Sequence, residues 1–447
     1  IVQSNGGVMT VETARRTPVR TALSGPAAGV IAARAIAEAA GFPDIVTCDM
    51  GGTSFDVSLV AGGEAALAPQ TAIDYGLVVR SPMIEITTIG AGGGSVAWLD
   101  RSGLLQVGPE SAGSDPGPVC YGQGNDRPTV TDANLVLGRI NPDRPIGGKL
   151  ARLDVAAARN AIGARIARPL RLGIEDAAEA ILKVANARMA GAIRLVSIEK
   201  GHDPARFAAM PFGGGGALHT GALVKEVGLG SALVPRYPGV TSALGCVVAD
   251  MRHDRVQTVN AGLDTLDAAA LGAEMTQTAD ALAEALARSG TRFTGVERLF
   301  EADMLYAGQT HTVTVPLVWE GALDTPTIRA AFETAYRAAF GRVLPGLAIR
   351  LMNTRVTVVG RRPRLDMAVF APEDGRPAEA CRTATRRIWA AGRGWDAPVY
   401  DRLALAVGAR IAGPALLEQP DATVFVDPGL SARVDPHGNL ILTVDDT

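Results

Sequence analysis

The amino-acid sequence predicts an α/β protein of two or three domains. Its 447 residues exceed the usual size of a single domain. Two strands joined by a tight turn are predicted over 45–60, and a strand that runs through a glycine loop into a helix is predicted over 207–227. Apolar residues at helical spacing predict a long helix over 174–198. Strands and helices therefore alternate in the first half of the chain.

The first predicted element is a helix with a clear start and a clear end. Ser24 can act as the N-cap, and Pro26 lies near the first helical position, where a missing N–H costs nothing. The alanine-rich stretch that follows should continue to about Ala40, and Gly41 should end it. The strands of 45–60 come next, and residues 62–130 are predicted to be rich in loops.

Changes in composition divide the chain into three predicted domains. Glycine clustering stops near 250–262, and a helix over 266–286, two strands over 296–316 and a helix capped by Thr325-Pro326 follow. A polar stretch with prolines, 361–385, precedes short strands and turns. We expect an α/β core at 1–254, an α+β domain at 255–370 and a small β-rich unit at 371–447.

Composition excludes several classes of function. The 43 basic and 46 acidic residues give a net charge of -3, so no excess of cations is available for sequence-independent binding of nucleic acid or of a membrane surface. No apolar run approaches the roughly 20 residues that span a bilayer. The four cysteines form no CxxC pair, which is typical of a reduced, cytoplasmic protein. The 52 glycines occur in clusters, which indicates backbone close to a ligand.

The first glycine cluster resembles a phosphate-binding turn. A predicted strand delivers Asp49 into a turn that contains Gly51, Gly52, Thr53 and Ser54. The glycines would let backbone N–H groups approach an anion, and the two hydroxyls could add donors. Asp49 would be placed to hold Mg²⁺ or to orient a water molecule. The alternative is a hairpin that needs glycine only for its turn.

Two further glycine clusters are weaker signals by themselves. Gly213, Gly214, Gly215 and Gly216 precede a predicted helix, so unpaired N–H groups and the helix dipole could receive a nucleotide there. The alternative is a close crossing of a helix and a strand. The cluster at 90–95 does not complete GxGxxG, because Ser95 occupies the last place, and a dinucleotide-binding fold is therefore rejected.

Other catalytic templates do not occur. The sequence contains no GxxxxGK[ST], HExxH or GxSxG, which argues against a P-loop ATPase, a zinc protease and an α/β-hydrolase. The five histidines lack the spacing of metal ligands. His219 is notable because it follows the glycine quartet, although a histidine packed on its own helix is the alternative.

With these motifs in place, the chain resembles the hydantoinase A/5-oxoprolinase family, and the resemblance covers nearly its whole length. The resemblance implies an actin-like ATPase core of the ribonuclease H-like, sugar-kinase and Hsp70 type, followed by α+β and β-rich units. It is carried by eight ordered motifs: Ser4-Asn5-Gly6-Gly7, Ser24-Gly25-Pro26-Ala27-Ala28-Gly29, 49–56, 89–95, 115–122, 129–134, 212–216 and Ser242-Ala243-Leu244-Gly245.

The resemblance also implies the residues of an ATP site. The turn 51–54 would be the second phosphate loop, and 213–216 would be the adenosine loop. The expected catalytic residues are Asp49, Asp56 and Asp132, and Asp49 is the expected Mg²⁺ ligand. The residues expected to contribute to a substrate site are Gly92, Gly93, Gly94, Ser95 and Thr131. Family members open with another Asp-x-Gly-Gly-Thr loop that does not occur here, so we expect the N-terminal lobe to be missing from this sequence.

The chemistry implied by the resemblance is the activation of a poor electrophile. Phosphorylation of a lactam or hydantoin oxygen by ATP creates a leaving group, and water can then open the ring. The expected substrate is a small cyclic amide such as hydantoin, N-methylhydantoin or 5-oxoproline, and the expected partner is a B-type hydantoinase subunit. Two alternatives stay open, namely a subunit of an ATP-dependent acetone or acetophenone carboxylase and a non-catalytic subunit gated by nucleotide.

Overall fold

The computed structural model describes residues 1–68, 71–72, 78–79, 82–146 and 150–445, and the chain divides into two compact units. The first, which we call the core unit, comprises Gly25–Ala68, Met83–Val247 and Asp366–Thr447. The second unit comprises Ile1–Ser24, Pro69–Pro82 and Val248–Leu365. The predicted site residues all lie in the core unit.

The α-helices of the described residues are, in chain order, α1 Val11–Arg16, α2 Ser24–Ala40, α3 Val130–Val136, α4 Val155–Ile162, α5 Arg168–Leu170, α6 Ile174–Val196, α7 Gly213–Val227, α8 Thr241–Val248, α9 Ala268–Ala287 and α10 Thr325–Phe340. The strands up to the end of α8 are β1 Ile45–Met50, β2 Phe55–Ala61, β3 Glu64–Ala65, β4 Leu67–Ala68, β5 Thr71–Ala72, β6 Val78–Val79, β7 Met83–Ile84, β8 Thr87–Ile89, β9 Ser95–Leu99, β10 Leu105–Ser111, β11 Ala208–Phe212 and β12 Ser231–Val234. The later strands are β13 Met251–Gly262, β14 Gly295–Tyr306, β15 Val313–Pro316, β16 Ile349–Arg361, β17 Arg382–Ala390, β18 Arg393–Asp401, β19 Arg410–Ala412, β20 Ala415–Gln419, β21 Ala422–Val426, β22 Leu430–Val434 and β23 Leu440–Val444.

The core unit is built on one mixed sheet, in the order β19-β22-β23-β12-β11-β1-β2-β3, with β8 paired to β2. Strand β11 is parallel to both β1 and β12, so the carboxyl ends of these three strands meet at one edge of the sheet. The turn between β1 and β2 lies at this edge, and so does the start of α7. This edge is where ligands bind in open α/β sheets.

The long helix predicted over 174–198 is confirmed as α6. Its apolar stripe is fully buried in the core of the unit, as the helical spacing of Ile181, Ala185 and Met189 requires. Two acidic side chains in its first turn, Glu175 and Asp176, complement the helix dipole.

The predicted helix at 24–40 and its end are also confirmed. Helix α2 runs from Ser24 to Ala40, and Gly41 follows with a φ of +79°. This helix lies very close to α8, because a Cβ placed on Gly245 would be 1.9 Å from the carbonyl oxygen of Ala28. Only glycine permits this approach.

The C-terminal region differs from the predicted separate unit at 371–447. Three of its strands extend the large sheet, because β23 pairs with β12 in the register Leu440↔Val234 and carries β22 and β19 with it. The other four strands after α10 and β16 form a sheet in the order β17-β18-β20-β21 within the same core unit. Pairing between residues about two hundred positions apart leaves no local signal in the sequence, so a change in composition near 370 does not indicate it.

The second unit contains an antiparallel sheet in the order β13-β16-β14-β15. Its core includes Tyr306 and Phe332, whose ring centroids lie 4.9 Å apart on β14 and α10. The helix predicted over 266–286 and the two strands predicted over 296–316 are confirmed. The helix predicted to begin at Thr325-Pro326 is confirmed as α10, although Asp324 rather than Thr325 caps it. The Ser4-Asn5-Gly6-Gly7 motif forms a turn in which Asn5 Nδ2 donates to Asp254 Oδ2 at 2.6 Å.

The structure also shows whether the chain has membrane-spanning helices or disulfide bonds. No helix in the described part of the chain combines the length and apolar character needed to cross a bilayer. All four cysteines are unpaired, with Cys48, Cys120 and Cys381 buried and Cys246 exposed.

The contact between α2 and α8 gives a prediction about stability. We expect Gly245→Ala to destabilise the protein by about 2 kcal/mol or more, because the added methyl group would force two tightly packed backbones apart. Gly191 is the matched control, since it lies inside α6 and a Cβ there meets no atom within 4 Å. Gly191→Ala should stabilise by about 0.5–1 kcal/mol through helix propensity. Urea unfolding measures both, and a Gly245→Ala protein as stable as the wild type would contradict the close approach.

Candidate active site

The site is assembled where the backbone of Gly213 meets the side chain of Asp49. Asp49 is one residue from the end of β1, opposite Phe212 on β11 and opposite Asp56 on β2. A Cβ on Gly213 would lie 2.5 Å from Asp49 Oδ1 and 2.6 Å from the carbonyl oxygen of Met50, and Gly213 has a φ of +75°. Steric space and backbone conformation both require glycine here. The structure thus brings together the first two glycine clusters.

The turn after β1 is open on its outer side. Gly51 donates its N–H to the carbonyl oxygen of Ser54, which closes the turn. Gly51, Gly52 and Thr53 are exposed, and a Cβ on either glycine would meet no atom within 4 Å. No described residue accepts a hydrogen bond from the N–H groups of Gly52 or Thr53. The turn therefore has both free donors and room for an anion.

The third glycine cluster, Gly92–Gly94, holds this turn through backbone hydrogen bonds. Gly93 N–H donates to the carbonyl oxygen of Gly51 at 3.0 Å, and Gly94 N–H donates to that of Gly52 at 2.6 Å. A Cβ on Gly92 would lie 2.6 Å from the backbone of Gly52, so the two segments are in direct contact. Because the carbonyl oxygens of Gly51 and Gly52 accept these hydrogen bonds, the orientation of the two turn residues is fixed. These contacts give Gly92–Gly94 a supporting position behind the turn.

Ser95 and Thr131, which were also expected to contribute to a substrate site, complete this support. The fully buried Ser95 accepts a hydrogen bond at its Oγ from Gly92 N–H. Thr131, in the first turn of α3, donates both its N–H and its Oγ1–H to the carbonyl oxygen of Gly93. The start of α3 is thereby tied through Gly93 to the turn at Gly51.

Asp132 occupies a structural position rather than an open one. It is 0% exposed and forms a capping box with Thr129 at the start of α3. Its carboxylate also accepts hydrogen bonds from the backbone N–H groups of Val119 and Cys120. With its acceptor positions occupied and no access to solvent, Asp132 orders the loop before α3 and is not available to a substrate. We infer from these contacts a capping role for Asp132 in place of the expected catalytic one.

The two remaining acidic residues form an electrostatically unfavourable pair. Burial, with a further contribution from the charge of Asp56, raises the pKa of Asp49 from 3.8 to about 6. Burial also raises the pKa of Asp56, although hydrogen bonds from the hydroxyls of Thr88 and Ser54 act in the opposite direction. Thr88 Oγ1 lies 2.5 Å from Asp56 Oδ1. A pair of this kind binds a cation or a proton favourably, because either one relieves the repulsion.

The glycine quartet differs from the loop that the sequence predicts, since it forms the first turn of α7 itself. Phe212 at the N-cap position makes no side-chain cap, so it leaves the first amide groups of this turn without a cap bond. A Cβ on Gly214 would meet no atom within 4 Å, whereas one on Gly215 would lie 3.1 Å from Met50 Sδ and one on Gly216 would lie 3.1 Å from the carbonyl oxygen of Cys48. Gly215 and Gly216 therefore serve packing, and Gly214 faces open space.

These features fit a nucleotide with its metal ion. A turn with free N–H groups and an uncapped helix start both favour phosphate groups. The described residues contain no cluster of three or more His, Cys, Asp or Glu side chains that would hold a metal alone. Mg²⁺ is commonly held by one or two carboxylates together with phosphate oxygens, and the pair Asp49 and Asp56 meets that requirement.

The sequence reasoning missed Thr88 as a member of this group. Thr88 comes from β8, which pairs with β2 in the register Asp56↔Thr88. Nothing in the local sequence around 88 indicates this partner. The only sequence feature that could have suggested it is the short β-branched stretch at 86–89, whose pairing the sequence does not specify.

A separate apolar cavity of about 280 Å³ lies in the core unit beyond the end of β12. Its lining includes Tyr237 and Phe370, whose rings meet edge to face at a centroid distance of 6.0 Å. None of the residues described above as parts of the candidate site lines it. The chemistry of the acidic pair is therefore not located in this cavity.

Comparison with known proteins identifies the relatives of the chain. A family model described as Hydantoinase/oxoprolinase matches residues 1–255. A second model, the Hydantoinase/oxoprolinase C-terminal domain, matches residues 264–443. Together the two matches cover most of the chain.

One similar protein is the caprolactamase subunit alpha of Pseudomonas jessenii, which is 36% identical over 99% of this chain and 64% of its own length. The crystal structure of the ATP-dependent caprolactamase from the same organism matches with a TM-score of 0.80 and 34% identity, over 100% of this chain and 65% of that one. The nucleotide-free structure of an acetone carboxylase, from a study of ATP-dependent acetone carboxylation, matches with a TM-score of 0.81 and 29% identity, over 99% of this chain and 64% of that one. The chain thus spans less than two thirds of the length of these relatives.

The electrostatics of the acidic pair predict how stability depends on pH. In the metal-free protein, folding places Asp49 where ionisation is disfavoured, so the fold loses stability as the pH rises from about 4 through the folded pKa of about 6. We expect Asp49→Asn to stabilise the metal-free protein by about 1–2 kcal/mol at pH 7.5 and to give no gain at pH 4. Urea unfolding with EDTA at both pH values measures this difference, and a loss of stability at pH 7.5 would show that the Asp49 carboxylate is favourably paired.

Proposed function

Because the chain belongs to the hydantoinase/oxoprolinase family, we propose that its core unit binds ATP with Mg²⁺ and contributes to the ATP-dependent ring opening of a small cyclic amide. The substrate class is a lactam or hydantoin. One observation carries the proposal, namely the convergence of an open phosphate-binding turn, an uncapped glycine helix start and the pair Asp49 and Asp56 at one edge of the sheet.

Each part of the convergence has a role in holding the nucleotide. The free N–H groups of Gly52 and Thr53, with the hydroxyl of Thr53, would hold phosphate oxygens, while the hydroxyl of Ser54 donates to Asp56. The first turn of α7 would receive the adenosine end, with the open space at Gly214 leaving room for it. Asp49 and Asp56 would hold Mg²⁺, whose charge offsets their mutual repulsion.

ATP supplies the phosphoryl group that turns an amide oxygen into a leaving group. The contribution of the chain is electrostatic and positional. Asp49 lies near the end of β1 beside the phosphate-binding turn and against Gly213, where its carboxylate would orient the metal ion relative to the phosphate groups. The hydrogen bonds from Thr88 and Ser54 keep Asp56 oriented beside it. The segment at Gly92–Gly94 holds the turn so that its donors need not reorganise.

A second candidate function is supported by the likeness to acetone carboxylase. Its TM-score of 0.81 is close to the 0.80 of the caprolactamase. A carboxylase subunit would use the same ATP site to activate bicarbonate or a ketone. Cyclic-amide hydrolysis is the preferred proposal, because sequence identity is greater to the caprolactamase structure, at 34% against 29%.

A partner subunit belongs to the proposal. The caprolactamase relative is the alpha subunit of its enzyme, which indicates at least one other kind of subunit there. We propose that this chain likewise works with a B-type hydantoinase subunit, which completes hydrolysis after the ATP-dependent step. A non-catalytic, nucleotide-gated subunit would bind ATP without substrate-dependent turnover.

ADP release by the full chain with its partner subunit tests the function. The panel contains caprolactam, hydantoin, N-methylhydantoin, 5-oxoproline, acetone and acetophenone, each with and without bicarbonate. We expect a cyclic amide to stimulate ADP release without bicarbonate, and Asp49→Asn to reduce this turnover by about a hundredfold or more.

Each other outcome has a defined meaning. Stimulation by a ketone only with bicarbonate would establish the carboxylase reading, and ATP binding without stimulation by any compound would favour the gated subunit. Turnover by Asp49→Asn within a few-fold of wild type would remove Asp49 from the site.

The open space at Gly214 gives a prediction about nucleotide affinity. Gly214→Val should weaken ATP binding by about tenfold or more, because a branched side chain would occupy the room proposed for adenosine, while stability changes little. Gly25→Val is the matched control, since Gly25 also lies in the first turn of a helix of the core unit and a Cβ there meets no atom within 4 Å. Calorimetric titration measures both, and unchanged affinity in Gly214→Val would leave the quartet with a packing role only. Gly215→Val is a poorer test because Met50 Sδ lies in the way.

A further inference from the structure

A buried histidine of the core unit links three helices. His219 lies on α7, three residues after Gly216, and is 1% exposed. Its Nδ1 lies 2.6 Å from Asn186 Oδ1 on α6, and its Nε2 lies 3.3 Å from Asn134 Nδ2 on α3. Both ring nitrogens are therefore engaged, each with a different helix.

The two partners fix the protonation state of the ring. An amide oxygen can only accept, so His219 Nδ1 carries the proton that is donated to Asn186. Asn134 Nδ2 is a donor that also bonds the carbonyl oxygen of Val130, so His219 Nε2 is bare and accepts. Burial, together with the positive charge of Arg139, lowers the pKa of His219 to about 3. His219 is thus a neutral connector with one fixed tautomer and has no free nitrogen for proton transfer.

The helices that it joins carry the two halves of the candidate site. Helix α7 begins at Gly213, against the carboxylate of Asp49. Helix α3 begins next to Thr131, which holds Gly93, and Gly93 in turn holds Gly51 of the phosphate-binding turn. The link between His219 and Asn134 is consequently a second connection between the start of α7 and the turn, in addition to the sheet.

The polar nature of this link needs a physical reason, because three apolar side chains would fill the same volume without any requirement for hydrogen-bond partners. Buried amide and imidazole groups are costly unless they are paired, and Asn134 Oδ1 has no hydrogen-bond partner in the described structure. Hydrogen bonds are directional, whereas apolar packing is not. Each hydrogen bond therefore fixes the rotation of one helix about its axis and its position along that axis relative to the neighbouring helix.

We propose that His219 is a positioning residue that sets the placement of the α7 glycine turn relative to the phosphate-binding turn. The inference rests on the proposed ATP site. It follows that loss of the hydrogen bonds misplaces the two halves that bind the same nucleotide, even where the core stays well packed. The KM for ATP should then rise more than kcat falls.

The test compares three replacements in the full chain with its partner. His219→Phe keeps an aromatic ring but removes both hydrogen bonds. The triple variant His219→Phe, Asn134→Leu, Asn186→Leu removes the polar groups altogether and so removes the penalty for leaving them unpaired. His219→Gln is the conservative replacement, because its amide oxygen can still accept from Asn134 Nδ2. Leu223→Ala, a core change on the same helix, is the control for lost stability alone.

For each variant, urea unfolding gives the stability and steady-state ADP release gives the KM for ATP and kcat. We expect His219→Phe and the triple variant to raise the KM about tenfold, equivalent to about 1.4 kcal/mol, with kcat within threefold. His219→Gln should recover most of the affinity, and Leu223→Ala should lose stability without a change in KM.

A triple variant of wild-type stability and wild-type KM would overturn the positioning role, and so would a change in KM that simply follows stability across all variants. Calorimetric titration of the unmodified protein separates this result from failure of the ATP site itself. If the unmodified protein binds no ATP, the proposed function fails and this inference fails with it. If it binds ATP and the variants bind equally well, the inference alone fails.

Discussion

The approach of the Gly213 backbone to the Asp49 carboxylate is the constraint on which the rest of the candidate site depends. The parallel register of β1 and β11 places Asp49 opposite Phe212, so the chain must leave β11 directly beside the carboxylate. A side chain at 213 would lie 2.5 Å from Asp49 Oδ1, and a φ of +75° is strained for any residue with a Cβ. Glycine removes both obstacles, and α7 can then begin at the same edge as the phosphate-binding turn.

The same geometry sets a conflict between stability and function. Asp49 and Asp56 face each other across an antiparallel pair, and burial raises the pKa of both. A raised pKa means that ionised Asp49 does not stabilise the metal-free fold, so stability alone gives no reason to keep the carboxylate. A carboxyl group with a raised pKa is typical of a functional site, since a bound cation or proton offsets the unfavourable free energy of its ionisation. Asp132 illustrates the opposite case, because all of its contacts are satisfied within the protein.

The sequence was sufficient for those parts of the site that are local in the chain. Asp49 and the turn after it could be predicted, because a strand followed by two glycines and two hydroxyls is a pattern of eight consecutive residues. The capping role of Asp132 could also have been predicted, since Thr129-Val130-Thr131-Asp132 has the spacing of a capping box. The positions of Thr88 and the C-terminal strands could not be predicted, because they are set by pairing with strands distant in the sequence. Hydrophobic alternation identifies a strand but does not indicate which strand pairs with it. The same holds for His219 on α7, whose hydrogen-bond partners lie on α3 and α6, two helices that become adjacent to α7 only after folding.

The relatives show that the course of the backbone alone does not select a substrate. An ATP-dependent caprolactamase and an acetone carboxylase match this backbone almost equally well, so the course of the chain cannot distinguish a cyclic amide from a ketone. The groups that would hold the nucleotide are backbone N–H donors, short hydroxyls and two carboxylates, which act on phosphate and metal and are indifferent to the acceptor of the phosphoryl group. Under the proposed function, selection between substrates therefore requires groups other than those that would hold the nucleotide. In this proposal, substrate selection and nucleotide binding use different residues. The substrate class can then change within this fold without disturbing the close approach of Gly213 to Asp49.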